Sequence, residues 1–288
     1  MLLTKFTLIR EKAADGFSRQ RNHSVLPAIF LWPNYPPKDK TTPAAAPAAG
    51  QLDIETILAA SRQKLTPSQQ AYVSKLETAV VRGDVKDQQI KVFRQLADFW
   101  RDSAHLLLPF AWYTAKAAKL ENSQKNLTFA AQFYLDGVRR QEEPALKRWM
   151  AIEAKELFEK ALQLDPANDS LKIGLGSCYL LGGISDNPMQ GIQMIRDVAE
   201  RDPHNMYAQF MLGLGGIVSG QLDKAIERLI KVAEHEPSNL EAILMLADAC
   251  ERKGDKTNAI KWYTEGKKLL KDPAFAKDIE ERISLLKK

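Results

Sequence analysis

From residue 51 to the C-terminus, apolar residues recur at intervals of three and four, and most prolines and glycines fall between the periodic stretches. That is the pattern of amphipathic helices joined by short turns. Thr66-Pro67 reads as an N-cap followed by a first-turn proline, opening a helix that runs to about residue 82, where Gly83-Asp84 ends it. Helices are predicted next over 84–101, 105–121 and about 125–140, and Pro144 opens another that ends near 164. No stretch alternates apolar and polar positions between turn signals as a strand does. The fold class predicted is all-α.

Within this helical stretch an acid-proline pair recurs: Asp165-Pro166, Asp202-Pro203, Glu236-Pro237 and Asp272-Pro273, the prolines lying 37, 34 and 36 residues apart. Inside that period small and large residues also return. Leu175-Gly176-Ser177-Cys178-Tyr179, Leu212-Gly213 and Leu246-Ala247 occupy one place, and Ala154-x3-Phe158, Ala225-x3-Leu229 and Ala259-x3-Tyr263 another, with Gly191-x3-Ile195 a weaker version. The small residues let two helices approach closely, the large one fills the space between neighbours, and the proline stops a helix between units. A single helix pair leaves one apolar face bare, and stacking buries it.

This pattern resembles the tetratricopeptide repeat, whose period is 34 residues with small and large residues in this order. The resemblance implies antiparallel helix-pair repeats stacked in a right-handed superhelix, an α-solenoid. It departs from the family pattern in places. An insertion of three residues falls around 186–188, the first unit has a long linker near 141–147, the tryptophan position is never filled, and Pro273 comes two residues late. Three units over about 169–272 match well, and one over 125–168 matches in its second helix only. The organisation read from the chain is therefore a disordered basic tail and Pro/Ala-rich linker (1–50), a helical region divergent from the repeat (51–124), the repeat array (125–272) and a C-terminal capping helix (273–288), with Ile279, Ile283 and Leu286 on one stripe.

Family geometry further implies that first helices line a concave surface, through positions 2, 5, 6, 9, 12 and 13 of each unit. In the unit starting at Met206 these are Tyr207, Phe210, Met211, Leu214, Ile217 and Val218, all apolar or aromatic. The preceding unit adds Ile173 and Leu180, the following one Leu244 and Met245. These ten residues are the candidate partner-binding groove. Helix 206–219 is apolar on nearly every side, with Gln209 its one long polar residue, and such a helix is normally covered all round. Two arrangements satisfy it: first helices that cover one another in a tightly curved stack, or a protein segment lying in the groove. Self-association and occlusion by the chain's own residues 25–32 are further ways. Clamp-type members of the family hold a partner's C-terminal carboxylates with basic side chains. The inward positions here offer Arg252 beside Glu241, Asp248 and Glu251, which argues against that mode.

Charge narrows the partner class. The net charge is +5, but residues 1–50 hold +4 of it, so the folded part is nearly neutral and no nucleic acid is expected on it. The segment 41–50 (TTPAAAPAAG) is an extended, semi-rigid spacer, which motivates an alternative in which residues 1–50 tether the chain to a membrane, touching an anionic surface weakly. Bacterial proteins with this repeat often carry such an anchor and linker. No run approaches the roughly 18 apolar residues of a membrane span, and a cytoplasmic location is expected.

Catalytic chemistry finds no footing. Gly174-x-Gly176 and Gly213-x-Gly215-Gly216 lie inside helices and follow no strand, so they are not a dinucleotide loop. Cys178 and Cys250 fall two units apart and read as buried free thiols, His204 and His235 as surface residues at unit junctions, and Trp100, Trp112, Trp149 and Trp262 as core. No cofactor or metal is expected. The function read from the chain is a non-catalytic scaffold or adaptor that binds a peptide or amphipathic helix of a protein partner, the alternative being a membrane-tethered or self-associating structural repeat protein.

Overall fold

The structure is a computed structural model that describes residues 52–82, 85–185 and 188–288. The tail and linker 1–50, the helix stop at Gly83-Asp84 and most of the insertion at 186–188 lie outside the described residues. Among the described residues thirteen α-helices follow one another: α1 (Ile54–Arg62), α2 (Pro67–Arg82), α3 (Lys86–Asp98), α4 (Leu107–Glu121), α5 (Gln124–Arg140), α6 (Pro144–Leu164), α7 (Asp169–Leu181), α8 (Met189–Arg201), α9 (Met206–Ser219), α10 (Leu222–His235), α11 (Leu240–Lys253), α12 (Lys256–Leu269) and α13 (Pro273–Leu286). No strand occurs among the described residues.

Local chemistry fixes the helix ends. The backbone N–H of Thr66 donates to Gln69 Oε1 at 2.9 Å while Gln69 N–H reaches back to Thr66 Oγ1 at 3.4 Å, a reciprocal cap at the start of α2. At the repeat junctions the acid-proline pair is half of a larger unit, acid-Pro-x-Asn. Asn168, Asn205 and Asn239 each accept, through the side-chain oxygen, the N–H of the third residue on, at 3.2, 3.0 and 3.0 Å. The amides of Asn168 and Asn239 also donate to the carboxylates of Asp165 (2.9 Å) and Glu236 (2.7 Å). One short segment thus ends a helix and starts the next. Gly220 and Gly254 close α9 and α11 in the left-handed region, at φ 76° and 87°, where a side chain would be strained.

The predicted helix 84–101 is shorter and followed by a wider turn. α3 gives way to a π-turn over Phe99–Ser103, in which Ala104 N–H donates to Phe99 O at 3.1 Å. His105 then takes φ 54°, Leu106 N–H bonds Trp100 O at 2.8 Å, and α4 begins two residues later than the periodicity predicts. Apolar spacing alone does not distinguish this widened turn from a continuous helix. Its effect is to bury Trp100 completely.

Helices pack as successive antiparallel pairs, α3 with α4, α5 with α6, α7 with α8, α9 with α10 and α11 with α12, stacked one on the next as an α-solenoid. Residues 86–121 therefore form a pair like those of the array. α13 closes the far end, with Ile279 and Ile283 buried and Leu286 partly buried against the last pair. The interior is continuous. Trp112 and Phe133 pack against both the N-terminal and the central block of core residues, and Leu181 against both the central and the C-terminal block.

Close approach between helices follows the small residues. A Cβ on Gly176 would lie 2.7 Å from the carbonyl oxygen of Gly191, which brings α7 and α8 into near-backbone contact. A Cβ on Gly174 would meet the ring of Phe158, which fills the gap between α6 and α7 as the repeat pattern requires.

The inner face of the stack as candidate functional site

First helices touch one another from pair to pair: α5 with α7, α7 with α9 and α9 with α11. No second helix approaches the second helix of the next pair as closely among the described residues. First helices thus lie on the inner side of the stack and second helices on the outer, so α5, α7, α9 and α11 make up the inner face, where the sequence predicts a groove.

α9 forms the floor. Of the ten residues predicted to line the groove, Ile173, Phe210, Met211, Leu214, Ile217, Leu244 and Met245 are buried. Leu180 and Tyr207 are partly buried, and Val218 is 53% exposed. Neighbouring first helices do much of the covering: Leu180 of α7, for example, packs against Gly215 of α9. Gln209 is buried as well, and both ends of its amide are satisfied. It accepts from Arg228 at 2.7 Å and donates to the Pro203 carbonyl at 3.0 Å.

Over this floor lies a residue that the repeat pattern does not flag. α5 has 17 residues and α6 has 21, against 13 or 14 in the later pairs. The last turn of α5 carries Arg139 across the hollow to Glu241 at the start of α11, and the two form an ion pair. The guanidinium also sits 5.4 Å from the centre of the Phe210 ring. Burial lowers the proton affinity of Arg139 from its ordinary value, opposed by the charge of Asp136 one turn before it. Gln132, on the same stripe of α5, donates to Asp136 at 3.1 Å, beside the phenol of Tyr207. Burial pushes that phenol up to about 12. Phe129, one turn before Gln132, remains 56% exposed.

Towards α13 the hollow becomes polar. Asp248 and Arg252 of α11 lie 3.8 Å apart, and Arg252 also donates to the Ile217 carbonyl at 3.4 Å. Glu251 accepts from Arg282 of α13 at 2.7 Å and from the Tyr263 hydroxyl at 3.0 Å. Arg252 is thus engaged with its own chain.

Elsewhere Cys178 and Cys250 are buried free thiols, and burial pushes both up, Cys250 to about 11. The rings of His204 and His235 stand 5.5 Å apart on the surface, where His235 Nδ1 bonds the Lys231 carbonyl. Trp100 and Trp149 are buried, while Trp112 and Trp262 are partly buried against the core. Among the described residues no group of three or more metal-binding side chains gathers, and no helix is long and apolar enough to cross a membrane.

Residues 217–269, from the end of α9 through α12, match the model of the tetratricopeptide repeat family. No curated protein matches the chain. Among solved structures the chain is similar to MamA, at 20% identity with a TM-score of 0.42, covering 62% of this chain and 91% of that one. MamA from Desulfovibrio magneticus RS-1 gives 20% identity and a TM-score of 0.42, covering 65% and 96%. YrrB, a tetratricopeptide-repeat protein with an unusual peptide-binding site, gives 19% and 0.42, covering 72% and 97%. The family match covers residues 217–269, and the helix pairs and junctions that precede it repeat the same arrangement.

Proposed function

We propose that the chain is a non-catalytic scaffold that holds a segment of a protein partner, a peptide or an amphipathic helix, in the hollow between its first helices. The observation that supports this most is the state of α9. It is apolar on nearly every side and covered by neighbours over most of its length, yet it reaches the surface at Val218. Phe129 on α5 and the partly exposed Tyr207 and Leu180 give the hollow further apolar surface. An apolar or aromatic anchor from a partner seated there would bury these side chains, and a few such anchors carry most of the energy of an interface.

The variants that test this are Val218→Asp and Phe129→Asp in the full chain. Both positions are exposed, so a carboxylate there leaves the core untouched. A charge at Leu214 or Phe210 would instead be buried in the fold. Affinity purification with the wild type and the two variants should show proteins captured by the wild type and lost from both, at unchanged helicity. Captured proteins identical in all three would reject the hollow as the docking site.

A further inference from the structure

The core is built in blocks, and two of them meet along a single helix. Leu171, Leu175 and Cys178 of α7 belong to the central block, shared with α4, α5 and α6. Ile173 of the same helix belongs to the C-terminal block, shared with α8 through α13. α7 is thus the seam, and it is rich in small residues, with Gly174, Gly176 and Ser177 in sequence around its middle. Across this seam the last turn of α5 reaches over with Arg139, to Phe210 and Glu241. The Arg139–Glu241 pair joins residues 102 positions apart. It ties the last turn of α5 to the first turn of α11, with the ring of Phe210 beneath the guanidinium.

We infer that the Arg139–Glu241 pair is a clasp that holds the stack wound shut, and that its release opens the stack at α7 and uncovers Phe210 and Tyr207. The inference concerns the regulation of the hollow and takes its biological use, though not its mechanics, from the docking role proposed above. The closed form is favoured because each charge is largely withdrawn from water and has the other as its partner; parting them leaves a largely buried guanidinium with only Asp136 of its own helix, 3.8 Å away. Opening is achieved by neutralising either charge. Apart from α7 itself, which packs into both blocks, few side chains cross the seam, whereas the contacts within each block are apolar and numerous, so the blocks keep their folds while the angle between them changes about α7.

Full-length Arg139→Gln, Glu241→Gln and the double variant, each without any partner, test this by hydrogen exchange and small-angle scattering. Exchange at the amides of residues 207–214 should rise about tenfold in each single variant, with a larger maximum dimension and an unchanged far-ultraviolet spectrum. The double variant should open no further than either single one, because both remove the same contact. Single variants that match the wild type in exchange and dimension would overturn the clasp. So would effects that simply add in the double variant, or a loss of helicity, which would make the pair a requirement of folding. No partner enters these readouts, so the clasp and the docking site fail separately.

Discussion

The ring of Phe158 in α6 occupies the place that a side chain on Gly174 of α7 would need: a Cβ added there would lie 2.5 Å from Cε1 of the ring. The aromatic residue of one repeat and the glycine of the next are two halves of one packing contact. Alanine at position 174 gains up to about 1 kcal/mol of helix propensity. The clash with a buried, immobile ring costs about 1–3 kcal/mol, so Gly174→Ala should be net destabilising. Phe158→Ala should cost about 3–5 kcal/mol through the cavity it leaves. In the double variant the new methyl enters the space the ring vacates, so the loss should be less than the sum. Urea unfolding of the four proteins checks this, and additive losses would mean that the two residues do not share a contact.

The junction asparagines make the second prediction. Asn205 and Asn239 each satisfy a first-turn N–H at 3.0 Å. Replacing either by alanine removes that acceptor and should lower stability by about 1 kcal/mol. The effects should differ in one respect. α11 carries Glu241 in its first turn, so fraying at Asn239→Ala also disturbs the carboxylate that meets Arg139. Hydrogen exchange in α9 should therefore respond to Asn239→Ala through the clasp as well as to Asn205→Ala through its own cap. An Asn239→Ala protein with α9 exchange unchanged from wild type would show that the start of α11 and the floor of the hollow are not coupled.

The repeat was legible because it is written in residues whose chemistry admits few alternatives. Proline is excluded from the helix interior beyond the first turn, so it marks where helices begin or have ended, and Gly176 or Ala225 stands where helix axes come close. The all-α fold, the order of the units and the capping helix follow from such positions. Asn168, Asn205 and Asn239 carry the same kind of signal, each three residues after the acid of the first three pairs, but an asparagine in a turn is not by itself a cap. Arg139 was not legible. α5 does not display the first-helix pattern, and nothing in the spacing of its residues says that two helices longer than the rest will carry its end over α9. The burial of seven of the ten groove candidates depends on curvature, which is set by how each pair rotates on the last and is invisible in a single unit. The π-turn at Phe99–Ser103 leaves the apolar spacing around Trp100 intact, so periodicity reads through it as helix.

Asp248 yields the last prediction, and its sign follows from its surroundings. Burial between α11 and its neighbours raises the carboxyl's affinity for a proton, and the positive charges of Arg252 and Arg282 oppose this without cancelling it. The native state therefore holds that proton more tightly than the unfolded chain does. Its contribution to stability is fully present below the unfolded value, about 3.9. It declines as the pH rises from there through the raised native value and is constant above it. At neutral pH the ionised carboxylate is thus a net cost to the fold. Asp248→Asn keeps an acceptor for Arg252 and removes the ionisation. The variant should be more stable than the parent in urea at pH 7, with the advantage shrinking as the pH falls towards about 4. Arg252 should keep its bond to the Ile217 carbonyl, so the end of α9 should exchange at its parental rate. An asparagine variant less stable than the parent at pH 7 would mean that the attraction of the two arginines outweighs desolvation, and that Asp248 belongs to the ion pairs holding α13 against the hollow.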